Sequence, residues 1–224
     1  MCHHYRGHRT PPAYLLDEFS VRANLYQMLL PVEGFYPLSP TPIVRLGPAG
    51  EREMVAAEWG LLPRWWKPSD RVAKRTAFQR KCFNARSEEV DAKPTYRDAF
   101  RRRRCLMPAD EFFERGHYFH LVDRRPFAFA ALWEEWQGGD ERIESCTLLT
   151  TEPNALVESV GHNRMPVVLR GEEQYARWLN PETTDRGPLE DLLLPTPARL
   201  WSKYVATAAV DSVPAPQPQQ GRLF

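Results

Sequence analysis

The sequence has few cysteines, and none of them are paired at a metal-binding spacing. Cys2, Cys82, Cys105 and Cys146 are widely separated, and no C-x-x-C motif occurs. A disulfide framework and a structural zinc site are therefore not expected. The cysteine usage fits a reduced cytoplasmic compartment best. We predict neither a cofactor nor a bound metal.

Long apolar runs and a large net charge are also missing. The first residues, MCHHYRGHRTPP, contain no apolar signal segment, and no apolar run reaches membrane-spanning length. We therefore expect no membrane association. The formal net charge of +1 gives no general attraction to nucleic acid, so any anion binding must be local.

The 224 residues are enough for one well-buried domain, which we place at residues 1–210. Residues 211–224 are rich in Pro and Gln and are predicted to be disordered. Residues 13–30 show apolar spacing typical of a helix that Pro31 ends. Short strand and helix patterns alternate without βαβ regularity, which indicates an α+β fold.

Cys2 is the residue with the most distinctive chemistry. It follows Met1, and removal of Met1 would leave a free α-amino group and a thiol on one residue. Such a 1,2-aminothiol condenses with an aldehyde to a Schiff base and then closes a thiazolidine ring. The amine has a pKa of about 7.7–8.0 and the thiol about 8.5, so both can be nucleophilic near neutral pH with modest help.

A basic segment with adjacent tryptophans indicates contact with nucleic acid. Residues 63–81 contain seven basic residues and one acidic residue, together with Trp65 and Trp66. Basic side chains follow phosphates, and aromatic faces stack on unpaired bases. The alternative is a solvated loop whose tryptophans lie in the core.

Three further segments carry candidate site residues. In FNARSE (83–88), Asn84 and Arg86 point to the same side if the segment is extended. The amide can hold a carbonyl or an amine, and the guanidinium can bind a phosphate. Taken alone, the segment also fits a turn with a surface arginine.

Glu114 ends the segment CLMPADEFFE beside Phe113. Desolvation by aromatic neighbours would raise the pKa of such a carboxylate into the range of a general acid. His162 and Arg164 precede an apolar run, and histidine is the usual proton carrier near pH 7. An exposed acidic turn and a loop histidine without a role are the alternatives.

Taken together, these segments resemble the SOS response-associated peptidase (SRAP) family, the abasic-site processing proteins. The resemblance extends from Met1 to about Val210 and rests on the order of its motifs. These are MC at the N-terminus, WGLLPRWW (59–66), FNARSE (83–88), RRCLMPADEFFE (103–114), FAALW (129–133) and HNRMPVVL (162–169).

The resemblance implies a single α+β domain with bifurcated, barrel-like antiparallel sheets surrounded by short helices. It also implies covalent capture of abasic sites in single-stranded DNA during the SOS response, with lyase-type Schiff-base chemistry and autocatalytic removal of Met1. By motif, Cys2 is the nucleophile, Asn84 orients the amine or the sugar, Glu114 is the general acid/base and His162 moves protons. Arg86 and Arg164 bind phosphates, and Trp65 and Trp66 stack at the DNA strand. The expected state is a monomer that acts on DNA, with replication-fork proteins as further partners.

The chain departs from the family pattern at the N-terminus, in the motif that contains Glu114 and after the last strand. His3 and His4 stand where the family has Gly and Arg, and the Arg would touch phosphate. Glu111 replaces a Gly and is expected to strain a turn or to place negative charge near DNA, and Arg115 replaces a Trp. The family's Asn after the last strand is matched only loosely near Asp211.

Two other function classes remain open at this point. One is a cysteine hydrolase that uses Cys2 with His162 on a peptide or amide. The other is a non-covalent single-stranded DNA-binding module built on Trp65, Trp66 and the basic segment.

Overall fold

The computed structural model describes residues 2–7, 12–24 and 34–206. Met1 and the predicted tail at 211–224 lie outside the described residues. The strands, in chain order, are β1 Tyr5–Arg6, β2 Ala23–Asn24, β3 Pro40–Leu46, β4 Arg52–Trp59, β5 Asn84–Arg86, β6 Arg104–Ala109, β7 Glu111–Glu114, β8 His117–Leu121, β9 Phe127–Gly138, β10 Glu141–Thr151, β11 Met165–Pro166, β12 Val168–Leu169 and β13 Trp201–Val205. The α-helices are α1 Pro12–Glu18, α2 Arg75–Gln79, α3 Arg97–Arg102, α4 Ala155–Glu158 and α5 Gly171–Leu179, and the 3₁₀ helices are Gly187–Leu193 and Ala198–Leu200.

Strands of the larger sheet close into a barrel. The order β10-β4-β3-β6-β9 returns to β10 because β9 and β10 also pair along a long antiparallel ladder. The predicted α+β fold with barrel-like sheets and short helices is thus confirmed. The sheets are not purely antiparallel, since β10 runs parallel to both β4 and β5, and β2 runs parallel to β4.

Alternation along β9 shows how the barrel is packed. Phe127, Phe129 and Ala131 belong to a core that includes the N-terminal strand. The residues between them, such as Ala128 and Ala130, belong to a second core with the helices α1, α3 and α5. Side chains of a strand point alternately to its two faces, so an apolar strand buried on both sides joins the two cores.

The smaller sheet brings the N-terminus to the barrel. Its order is β1-β7-β8-β13, with Tyr5 opposite Phe112 in β7. The Phe113 backbone N–H also donates to the His4 carbonyl at 3.0 Å. Residues 2–7 are therefore held along β7, and this pairing determines where Cys2 lies.

The predicted helix at 13–30 is wrong over much of its described part. Helix α1 ends at Glu18, Ser20 adopts a φ of 49°, and β2 follows at Ala23–Asn24. Pairing of β2 with β4 replaces the helical conformation that the local apolar spacing favours. None of the helices in residues 2–7, 12–24 and 34–206 is long and apolar enough to span a membrane.

Candidate active site around Cys2

Cys2 lies buried three residues before β1, the strand that pairs with β7. Its side chain is 1% exposed, and its thiol donates to the His4 carbonyl at 3.6 Å. Burial, together with the nearby Glu114 carboxylate, raises the pKa of the Cys2 thiol well above its ordinary value. From the sequence we expected a thiol that ionises near neutral pH with modest help. Because the pKa of the buried thiol is raised, its ionisation requires a base in this site.

Asn84 holds the backbone of Cys2. It is the first residue of β5, whose parallel pairing with β10 sets Asn84 opposite Leu148. Its Nδ2 donates to the Cys2 carbonyl at 2.8 Å. Within the described part of the chain, its buried Oδ1 has no hydrogen-bond partner. Buried acceptors are nearly always satisfied, so this oxygen is suited to accept from an amine at Cys2.

Glu114 reaches the same site from the end of β7. A two-residue turn follows it, in which Arg115 and Gly116 have φ values of 50° and 80°, and Glu114 pairs with His117 in β8. Positive φ at both central residues is the geometry of a tight hairpin. The Glu114 side chain is 3% exposed, and burial raises the pKa of its carboxyl to about 7.

His162 lies within hydrogen-bonding distance of Glu114. The His162 Nε2 lies 3.2 Å from Glu114 Oε2. The His162 Nδ1 lies 2.6 Å from the Arg164 carbonyl, closer than the 3.3 Å to the Arg164 backbone N–H, so Nδ1 is the donor. In a neutral imidazole Nε2 then carries the lone pair, and the contact requires a proton on Glu114. Burial lowers the pKa of His162, consistent with a neutral ring.

The structure thus brings together the four side chains that the sequence predicts for the reactive site. Within residues 2–7, 12–24 and 34–206, the second carboxyl oxygen of Glu114, Oε1, is buried and has no hydrogen-bond partner. The site therefore combines a buried thiol, a fixed amide, a carboxyl with a raised pKa and a neutral imidazole. This set can donate and accept protons next to a nucleophile near neutral pH.

The two predicted phosphate-binding arginines differ in their surroundings. Arg86 is exposed at the end of β5. Arg164 instead forms a bidentate ion pair with Glu88 at 2.6 and 2.8 Å, and donates to the Thr150 carbonyl at 2.6 Å. Glu88 was not among the candidate residues, although it lies within FNARSE. The exposed Glu88 carboxylate binds the Arg164 guanidinium, which the sequence analysis assigns to a phosphate.

The two tryptophans of the basic segment lie in different environments. Trp65 is 53% exposed, whereas Trp66 is 5% exposed and packs edge-on to Trp136 at 5.6 Å. The Trp136 indole also donates to the Trp66 carbonyl at 2.8 Å. We therefore keep the prediction that Trp65 stacks on DNA. Trp66 is a core residue in this structure, and we correct its assignment accordingly.

This difference gives a first testable prediction. Trp65→Ala is expected to weaken single-stranded DNA binding by ~1–3 kcal/mol if the ring stacks on a base, with the thermal midpoint unchanged. Trp66→Ala is expected to lower the free energy of unfolding by ~3–5 kcal/mol because it opens a cavity. Fluorescence anisotropy and denaturant unfolding measure the two effects. Equal losses of DNA affinity for folded forms of both variants would contradict the separation.

Two of the departures from the family pattern, His4 and Glu111, are buried inside the fold, whereas His3 and Arg115 are exposed. His4 is buried, and its ring stacks on Tyr36. Glu111 is 1% exposed, accepts from the Tyr204 hydroxyl at 2.6 Å and pairs with Arg124 at 3.3 Å. The expectation that Glu111 strains a turn or faces DNA is therefore wrong, because the residue lies within β7 with its charge compensated.

Comparisons with known proteins agree on one family. Residues 1–213 match the SOS response associated peptidase (SRAP) family. The abasic site processing protein YoqW of Bacillus subtilis is 36% identical over 164 residues, which cover 69% of this chain and 69% of that protein. The abasic site processing protein HMCES of Xenopus tropicalis is 26% identical over 160 residues, covering 59% of this chain and 46% of that protein.

Solved structures agree on the fold. A crystal structure of a Bacteroides thetaiotaomicron protein superposes with a TM-score of 0.79 at 23% identity, covering 92% of this chain and 93% of that one. The sequence match spans Cys2, the strands that carry Asn84 and Glu114, and the loop that carries His162. The chain therefore belongs to the SRAP family.

Proposed function

We propose that this chain processes abasic sites in single-stranded DNA by forming a covalent thiazolidine crosslink through Cys2 after Met1 is removed. The observation that carries the proposal is the surroundings of Cys2. Its backbone is held by Asn84, and buried oxygens of Asn84 and Glu114, which have no hydrogen-bond partner among the residues that the structure describes, lie in the same site. The relatives named abasic site processing proteins support the same substrate.

The first step joins the amine to the sugar. An abasic deoxyribose in its open form carries an aldehyde, and the neutral α-amine of Cys2 adds to that carbon. The resulting carbinolamine loses its hydroxyl as water and becomes a protonated Schiff base, which keeps one hydrogen on nitrogen. The hydroxyl needs a proton to leave, and the proton between Glu114 Oε2 and His162 Nε2 is available for it. A carboxyl whose pKa is about 7 can donate that proton near neutral pH.

The second step closes the ring. The Cys2 sulfur adds to the Schiff-base carbon, the C=N electron pair moves to nitrogen, and the thiol proton must be removed. Burial raises the pKa of this thiol, so the carboxylate left on Glu114 by the first step is the base that accepts the proton. One water is lost overall, and Glu114 ends protonated as it began.

A hydrolase that pairs Cys2 with His162 is less well supported. The Cys2 thiol donates to the His4 carbonyl, and the His162 Nε2 contacts Glu114. An activated cysteine protease requires the imidazole to take the thiol proton. The same Glu114–His162 pair can still assist cleavage of the Met1–Cys2 bond, and we include this self-processing in the proposal.

Binding of the DNA strand is assigned to cations beside the site. Arg86 is exposed, and the Arg164 guanidinium is held near the end of β10 by the Thr150 carbonyl. Phosphates compete with Glu88 for Arg164, since both offer paired oxygens to the same fork. Glu88 therefore lowers the affinity for DNA while leaving Arg164 placed for it.

Glu88→Gln is accordingly expected to tighten single-stranded DNA binding. Loss of the carboxylate frees Arg164, which the Thr150 carbonyl still holds at 2.6 Å, and the salt dependence should steepen by about 0.7 for one added phosphate contact. Anisotropy titrations at several salt concentrations measure both. Glu89→Gln is the matched control, because Glu89 pairs with Lys93 and not with Arg164. Equal tightening in both variants would mean that net charge alone is responsible.

The proposal is tested by mixing the protein with single-stranded DNA that contains one abasic site and running a denaturing gel. A shifted band that survives heating is expected for the protein with a free Cys2 amine. A form with a residue or tag retained before Cys2 and proven not to be processed should give no such band. A non-covalent DNA-binding module would give none with either form.

A further inference from the structure

Tyr36 presents an aromatic face to solvent beside His4, which is two residues along the chain from Cys2. Its side chain is 51% exposed. The opposite face of the ring is stacked on the His4 imidazole, with centroids 4.5 Å apart and planes 12° from parallel. An exposed aromatic ring backed by a buried ring is a flat surface of the kind that accepts a nucleobase.

Both rings of this pair are fixed in place. The His4 carbonyl accepts from Phe113 in β7 at 3.0 Å, and its imidazole contacts the Phe113 and Tyr118 rings. The backbone of Tyr36 is held by Ser39, whose hydroxyl donates to the Tyr36 carbonyl at 2.6 Å. Stacking on a surface that is already ordered costs little conformational entropy.

The pair also lies close to the site of chemistry. The Cys2 thiol donates to the carbonyl of His4, two residues further along the chain. Two extended residues span about 7 Å, so a sugar bound at Cys2 places its neighbouring nucleotide in reach of Tyr36. Burial and the nearby Arg6 lower the pKa of His4 to about 4, so the backing ring is neutral when DNA binds near pH 7.

We propose that the exposed face of Tyr36, supported by His4, stacks on the nucleobase next to the abasic residue that Cys2 captures. The inference rests on the proposed function and adds to it a second point of recognition. It makes an unpaired neighbouring base part of the substrate, because a base in continuous duplex has no face free for the ring.

A double-mutant cycle between protein and DNA tests the stacking. Tyr36→Ala and Tyr36→Phe are compared on two oligonucleotides whose central residue is tetrahydrofuran, an abasic analogue without an aldehyde. In one oligonucleotide both neighbours carry bases, and in the other both neighbours are also tetrahydrofuran. Anisotropy gives the dissociation constants, so the readout does not depend on crosslinking.

Tyr36→Ala is expected to weaken binding about fivefold to 150-fold on the base-flanked strand, the range for loss of one stacked base. It should cause no loss on the strand without neighbouring bases, and Tyr36→Phe should match the wild type on both. The same loss on both strands, or no loss on either, would overturn the inference.

A parallel reaction with a true abasic site separates this inference from the proposed function. If the wild type crosslinks while the cycle gives no coupling, only the stacking assignment fails. If the cycle gives coupling while the wild type does not crosslink, only the covalent chemistry fails. Circular dichroism of each variant before titration confirms that it is folded.

Discussion

Cys2→Ala is expected to abolish the heat-stable crosslink to abasic single-stranded DNA while leaving non-covalent binding in place. The variant keeps its α-amine once Met1 is removed, so it can still form a Schiff base, but it has no sulfur to close the ring. The Schiff base hydrolyses on denaturation unless borohydride reduces it. We therefore expect no band on a denaturing gel without borohydride and a clear band with it.

Cys82→Ala is the matched control for this experiment. Cys82 is also a free and buried thiol, but its side chain packs in the core with the helices. A folded Cys82→Ala variant should crosslink as the wild type does. A heat-stable band in Cys2→Ala without reductant, at the wild-type yield, would contradict the assignment of the thiol.

Glu114→Gln is expected to slow crosslinking by roughly 10²- to 10⁴-fold, the usual contribution of general acid/base catalysis. The amide keeps the shape of the side chain and can donate to His162 Nε2, but it can neither release a proton to the leaving hydroxyl nor accept one from the thiol. Single-turnover rates at saturating DNA measure the effect, and the dissociation constant should stay unchanged. A wild-type rate would remove Glu114 from the mechanism.

The pH dependence of the rate identifies the group further. The amine must be neutral, so the rate rises with pH through its pKa of about 7.7–8.0. The carboxyl must be protonated, so the rate falls as pH rises through the Glu114 pKa of about 7. The wild-type profile is thus a bell with its maximum between about pH 7 and 8. Glu114→Gln should keep the rising limb and lose the falling one.

The sequence indicated which side chains meet around Cys2 because each of these residues is chemically distinctive by itself. Cys2, Asn84, Glu114 and His162 stand in separate segments, yet each is distinctive by type and context, and the order of the motifs gives the fold that gathers them. The Glu114 carboxyl is buried and its pKa is raised, as the sequence indicated.

Residues whose role depends on a partner were harder to predict. Trp65 and Trp66 are adjacent and identical in type, and only the position of Trp136 in β9 decides which one is buried. In the sequence, Glu111 is interpreted as an exposed negative charge, because the sequence does not show that Tyr204 and Arg124 lie beside it. Tyr36 has no periodic signal at all, because its significance comes from a stacking contact with His4, 32 positions away in the chain.

Intact-mass measurement of the adduct tests the central claim most directly. Protein and an oligonucleotide with one abasic site are incubated without reductant, heated and weighed by mass spectrometry under denaturing conditions. We expect a single species whose mass is that of the chain without Met1 plus the oligonucleotide minus one water, the balance for a thiazolidine. An adduct of the same yield that retains Met1, or no adduct from a chain proven to lack Met1, would contradict the account.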